Sequence, residues 1–166
     1  MKILYLALIL TISTLVGCDE RDDCNPETLT TTFTHGKNIE KKFNTASRSN
    51  YYTVEDGSNT VFKYAHSRAE CDNAIDDELV TIFTFEVNTE ASQFRFSGKE
   101  VNTTNCYFNE VGGWGRGMYD IESGVIEGTK TSDGKWRVKV SVLTIPNPNR
   151  IGEQPEKIEF DEVFTE

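Results

Sequence analysis

Trp136, Val138, Val140 and Val142 alternate with Arg137, Lys139 and Ser141. Side chains along a strand point to opposite faces in turn, so this run buries one face and wets the other only if it is extended. On a helix the same residues would scatter around the axis. The same period of two recurs through most of the chain. Leu79, Phe83, Phe85 and Val87 share one face while Val80 and Ile82 share the other, which predicts a central strand buried on both sides at its start. Phe94-Arg95-Phe96 reads as a short strand closed by Ser97-Gly98, and Gly124 to Lys130 as another, followed by the turn Ser132-Asp133-Gly134. Ile158, Phe160 and Phe164 predict a closing strand in which a bulge puts Val163 out of phase. Tyr51 to Val54 and Thr60 to Tyr64 flank Glu55-Asp56-Gly57-Ser58-Asn59, and its Asp-Gly predicts a hairpin turn. Pro146 and Pro148 mark a loop, and only Ser67 to Asp77 admits a helical period. About eight to ten short strands with turns at this spacing predict an all-β antiparallel β-sandwich, with a small β-barrel as second choice.

The N-terminus follows a different rule. Lys2 precedes a short apolar run from Ile3 to Val16, and the charged stretch Asp19-Glu20-Arg21-Asp22-Asp23 follows Cys18. The run is shorter than the roughly 20 residues a membrane-spanning helix needs, and it lacks the polar face of a core helix. Charge, apolar core and small residue in that order predict a secretory signal. Leu15-Val16-Gly17-Cys18 resembles the lipobox of bacterial lipoproteins. That resemblance implies a fatty-acylated (palmitate-bearing) Cys18 and cleavage after Gly17. The expected organisation is a signal peptide over 1–17, a lipidated acidic tether over 18–27 and one β-sandwich domain over 28–166. A plain secretory signal is the alternative, although Leu15-Val16-Gly17 offers no small-x-small site.

Losing Lys2 with the signal leaves 149 residues carrying 16 basic and 27 acidic side chains, a net charge of −11. Enough chain remains for one core. No basic stripe is available to meet phosphates, which argues against a nucleic-acid partner. Four cysteines are too few for a disulfide scaffold, and no Cys-x-x-Cys pair points to zinc or thioredoxin-like chemistry. With Cys18 acylated, three thiols allow one bridge. Cys71 and Cys106 both lie in the predicted domain, whereas Cys24 lies in the tether and costs more to order, so a Cys71–Cys106 bridge is expected. Cys24–Cys71 is its rival.

Asp76-Asp77-Glu78 before a strand, the Gly124-x-Ile126-x-Gly128-x-Lys130 run, Trp136 and the final Ile158-x-Phe160 strand together resemble uncharacterised Bacteroidota envelope lipoproteins. The acidic run behind Cys18 likewise resembles the export tag of surface-displayed lipoproteins in that phylum; its other reading is a solvated linker. The resemblance implies a β-sandwich at the cell envelope, anchored in a bacterial membrane (the outer membrane, with surface exposure as a further option). It brings no reaction and no catalytic residue.

Three stretches bear on chemistry. Glu70, Asp72, Asp76, Asp77 and Glu78 concentrate carboxylates that calcium favours, but the EF-hand spacing and its central glycine are missing. A solvated acidic loop accounts for them, and no metal is expected. Gly112-Gly113-Trp114-Gly115-Arg116-Gly117 places an indole and a guanidinium, both favoured binding anchors, among four glycines. Trp114 and Arg116 are therefore candidate ligand contacts; the other reading is a wide hairpin loop whose Trp114 caps the core. His66 falls in phase with Phe62 and Tyr64, as a half-buried strand-end imidazole, and His35 sits beside Gly36 in a predicted turn. Neither Gly-x-Ser-x-Gly nor His-Glu-x-x-His occurs. The expectation is a monomeric, cofactor-free, non-enzymatic binding or accessory module, anchored to the membrane by lipid and meeting a protein or glycan partner. The alternatives are a small carboxylate-dependent hydrolase acting on glycans and an acidic inhibitor or receptor for a basic protein.

Overall fold

The computed structural model describes residues 24–71, 79–112, 117–147, 150 and 152–166. In chain order the elements are β1 (Cys24–Asn25), β2 (Thr28–Asn44), β3 (Ser49–Ser67), β4 (Glu70–Cys71), β5 (Val80–Asn88) and β6 (Gln93–Gly98). A 3₁₀ turn (Lys99–Thr104) follows, then β7 (Tyr107–Val111), β8 (Met118–Lys130), β9 (Trp136–Thr144) and β10 (Lys157–Phe164). Eight strands form one antiparallel sheet in the order β10-β9-β8-β7-β5-β3-β2, with β6 also on β8. β8 serves both halves: its start pairs β7, and past a register shift between Ile121 and Ser123 the rest runs between β6 and β9. The sheet thereby folds into two facing layers. Among the described residues its ends meet at a parallel bridge, Thr32 to Thr165, and the sheet does not close into a barrel.

The core lies between the layers. Trp136, Val138, Val140 and Val142 are at most 2 % exposed, and Arg137 and Lys139 face water, as the alternation predicts. Phe62 meets Trp136 edge-on at 5.5 Å, and Tyr64 stacks on Phe160 at 4.1 Å. The Gly-x-Ile-x-Gly run has a packing cause. Ile126 is fully buried, and Gly128 lies opposite Phe94, whose ring occupies the space a Cβ would need, 2.3 Å from Cζ. At Gly124, φ is +148°, and a Cβ would meet the Ser141 carbonyl oxygen at 2.4 Å. The β10–β9 ladder runs unbroken, so Val163 needs no bulge; it simply faces outward, 43 % exposed.

The largest departure from expectation lies in β2 and β3. The predicted turn at Glu55–Asn59 is not a turn: β3 runs straight through it. Lys37 faces both Asp56 and Asn59, and the extra residues bulge out, with the Asn38 Oδ1 accepting the amide hydrogens of Ser58 and Asn59 at 3.1 and 3.2 Å. A bulge sharpens bend and twist, and here it turns the outer half of a long hairpin. The chain reverses at Thr45 to Arg48, where Asn44 Oδ1 accepts the Ala46 amide hydrogen and Arg48 adopts φ +52°. His35 accordingly lies within β2, its Nδ1 2.7 Å from Thr60 Oγ1, and not in a turn. His66 is half-buried and pairs with Glu27.

The bent arm also corrects the reading of β5. This strand is buried on both faces at its end, Phe83 to Val87, and on the outer face the arm reaches Glu86 through the Ile39 amide. The cysteine assignment is corrected too. Cys106 carries a free, buried thiol beside the 3₁₀ turn, its Sγ donating to the Val101 carbonyl at 3.2 Å, so a Cys71–Cys106 bridge does not form. Cys71 instead faces Cys24 across the β1–β4 ladder. The ordering cost expected for Cys24 is met by that ladder, which begins inside the stretch read as tether.

Candidate functional site

The arm is fixed to the outer face of β5 and β7 at Ile39 and at Tyr52. The Ile39 amide donates to Glu86 Oε2 at 2.5 Å, and the Asn105 amide nitrogen to Glu86 Oε1 at 2.7 Å. Glu86 is 7 % exposed, so these bonds replace the water its carboxylate has lost. The Tyr52 ring stacks on Tyr107 with centroids 4.4 Å apart and planes 9° from parallel. Ile39, Tyr52, Val61 and Tyr107 form a second, smaller core there.

Asp120, on β8, is the polar centre of this junction. Its Oδ1 accepts from Lys41 Nζ at 2.8 Å and from the Tyr52 hydroxyl, and its Oδ2 from Asn50 Nδ2 at 3.2 Å. Burial works to raise the pKa of Asp120, but the bonds from Lys41 and Tyr52 outweigh it and hold the carboxyl below its ordinary value. For Tyr52, burial and then the Asp120 carboxylate push the phenol well above its ordinary range.

A recess opens on either side of this pair. One, of about 290 Å³, is lined by Lys41, Asn102, Asn105, Cys106 and Ile145. The other, of about 320 Å³, is lined by Arg48, Asn50, Met118, Tyr119 and Asn147. Met118 and Ile145 are partly exposed apolar groups at the mouth. Glu153 steadies the outer wall: it accepts the Asn147 amide hydrogen at 2.5 Å and a bond from the Tyr119 hydroxyl at 3.2 Å, and pairs with Arg150.

The crevice presents hydrogen-bonding groups, among them the exposed side chains of Arg48, Asn102 and Asn105. Of the described residues that line the recesses only Asp120 carries a carboxylate, and three donors engage it; Glu153, bonded to Tyr119 and Asn147, is likewise held by donors and by Arg150. The Cys106 thiol is pushed up to about 11 by burial, so it is protonated near neutrality and a poor nucleophile.

Of the expected sites, Cys18, Trp114, Arg116 and the carboxylates Asp72, Asp76, Asp77 and Glu78 lie outside the described residues. The Glu110 amide donates to the Gly117 carbonyl at 3.0 Å, next to Met118 of the crevice wall. Among the described residues no group of three His, Cys, Asp or Glu could hold a metal, and no helix is long and apolar enough to cross a membrane. Sequence reasoning missed Lys41, Asn50, Tyr52 and Asp120. The signal was a carboxylate set between Tyr119 and Ile121, two side chains that bury. No protein-family model, no curated protein and no solved structure matches this chain.

Proposed function

We propose that this chain is a lipid-anchored protein of the bacterial cell envelope, held at the outer membrane through Cys18, whose β-domain is a non-enzymatic binding module for a glycan. The observation that carries the ligand reading is the crevice around Asp120. Asn50, Asn102, Asn105 and Arg48 offer amide and cationic donors to hydroxyls. A retaining or inverting glycosidase needs two facing carboxyl groups. The described lining supplies one, already engaged by three donors, which favours binding over hydrolysis. The lipid anchor rests on Leu15-Val16-Gly17-Cys18. For the cysteines we propose a Cys24–Cys71 bridge, supported by their facing positions in the β1–β4 ladder.

The test is amide chemical-shift mapping of the full chain in lipid nanodiscs against a panel of soluble oligosaccharides. Saturable shifts at Asn50, Tyr52, Tyr119 and Ile145, with affinity weakened at least fivefold by Arg48→Gln, support the reading. Shifts confined to other faces, or none at millimolar sugar, overturn it, and release of new reducing ends would assign the hydrolase instead.

A further inference from the structure

The arm covers only part of the face it bends over. Beside the Tyr52–Tyr107 stack lies a separate groove of about 340 Å³. Strand register explains its composition. Thr34 lies opposite Val61, Lys63 lies opposite both Thr32 and Thr84, and Tyr107 lies opposite Thr84, so these side chains share the outer face of β2, β3, β5 and β7. Val61, Ile82 and Tyr107 make an apolar floor, of which Val61 and Tyr107 are under 9 % exposed. Val54, on the arm, is 45 % exposed and forms an apolar wall.

The charge of this groove is opposite to that of the chain. The sequence has 27 acidic against 17 basic residues, yet the groove is lined by Lys37 and Lys63 and by no carboxylate. Lys63 is exposed and makes no ion pair among the described residues. Lys37 already shows what it accepts: its Nζ holds the Asp56 carboxylate at 2.6 Å. Asp56 is 95 % exposed at its side chain, so an incoming carboxylate can take its place without a buried partner being stranded.

We propose that this groove binds a small amphiphilic carboxylate, a short-chain fatty acid in chemical class, with its head between Lys63 and Lys37 and its chain on Val54, Val61, Ile82 and Tyr107. Size agrees with the assignment. A water-sized group takes about 30 Å³, which leaves room for about ten non-hydrogen atoms. The volume also falls at the small end of the roughly 300–1,000 Å³ of ligand clefts. The groove does not depend on the Asp120 crevice, so either site can fail without the other.

The test is calorimetric titration of the full chain in lipid nanodiscs with hexanoate, with empty nanodiscs as the blank and hexanamide as the neutral isostere. Hexanoate is expected to bind at least tenfold more tightly than hexanamide. Lys63→Gln should weaken it at least fivefold, and Lys37→Gln with Lys63→Gln further, with unchanged far-ultraviolet circular dichroism. Hexanamide binding as tightly as hexanoate, an unchanged affinity in the double variant, or no heat above the blank at millimolar hexanoate would each overturn the proposal.

Discussion

Tyr52→Phe removes one oxygen from the junction between arm and body, and its cost follows from what that oxygen does. The ring stays, so the stack on Tyr107 and the burial of Tyr52 are kept. The lost bond is to a charged acceptor, Asp120. Bonds to charged groups contribute about 1.5–3 kcal/mol, and the lower end applies because the Asp120 side chain is 30 % exposed and keeps Lys41 and Asn50. We therefore expect about 1–2 kcal/mol of destabilisation from urea unfolding, or a fall in Tm of about 3–6 °C at this chain length. A double-mutant cycle with Asp120→Asn isolates the pair, and the two losses should be less than additive. The pH dependence has a definite sign at each end. The folded-state pKa of Asp120 is depressed, so its contribution is present above the unfolded carboxyl pKa and is lost as pH falls through the lower folded value. The folded-state pKa of Tyr52 is raised, so its contribution is present below the ordinary phenol pKa near 10 and fades above it. Full additivity in the cycle at pH 7, or a neutral Tyr52→Phe, would refute this account of the junction.

Gly128→Ala should cost about 1–3 kcal/mol by overpacking, because the Phe94 ring it meets is held against Phe62, Phe85 and Trp136. Phe94→Leu in the same chain should recover part of that loss in thermal unfolding. Non-reducing peptide mapping of the exported protein should link the peptides of Cys24 and Cys71 and leave Cys106 alkylatable only after unfolding. Such a bridge is worth about 4 kcal/mol in the chain-entropy model, read out as the loss on Cys71→Ser. Cys18→Ala should abolish incorporation of labelled palmitate and release the protein from the membrane fraction; incorporation that persists would remove the lipid anchor from the account.

Local pattern carried the strands and their buried faces. Trp136 to Val142 reads correctly because alternation is a property of neighbours, and the same holds for Phe83, Phe85 and Val87. The crevice was not legible, since it depends on where a strand bends. Asp56-Gly57 is as good a sequence for a bulge as for a turn, and the bulge is held by Lys37 and Asn38, some twenty positions away. The true reversal at Thr45 to Arg48 contains no glycine and relies on Asn44 and on a left-handed Arg48. Once the arm is misplaced, Tyr52 and Asp120, 68 positions apart, cannot be brought together. The cysteines follow the same rule: their pairing is a matter of register, which composition does not contain.

The most direct test of the account is whether the arm lies on the sheet in solution. Nuclear Overhauser spectra of the full chain should contain cross-peaks between the Tyr52 and Tyr107 rings, which stack at 4.4 Å. The Ile39 amide, bonded to the buried Glu86, should exchange its hydrogen as slowly as amides of the central strands. Absent ring contacts, with Ile39 exchanging at the rate of an open hairpin, would contradict the account and leave the crevice without its roof.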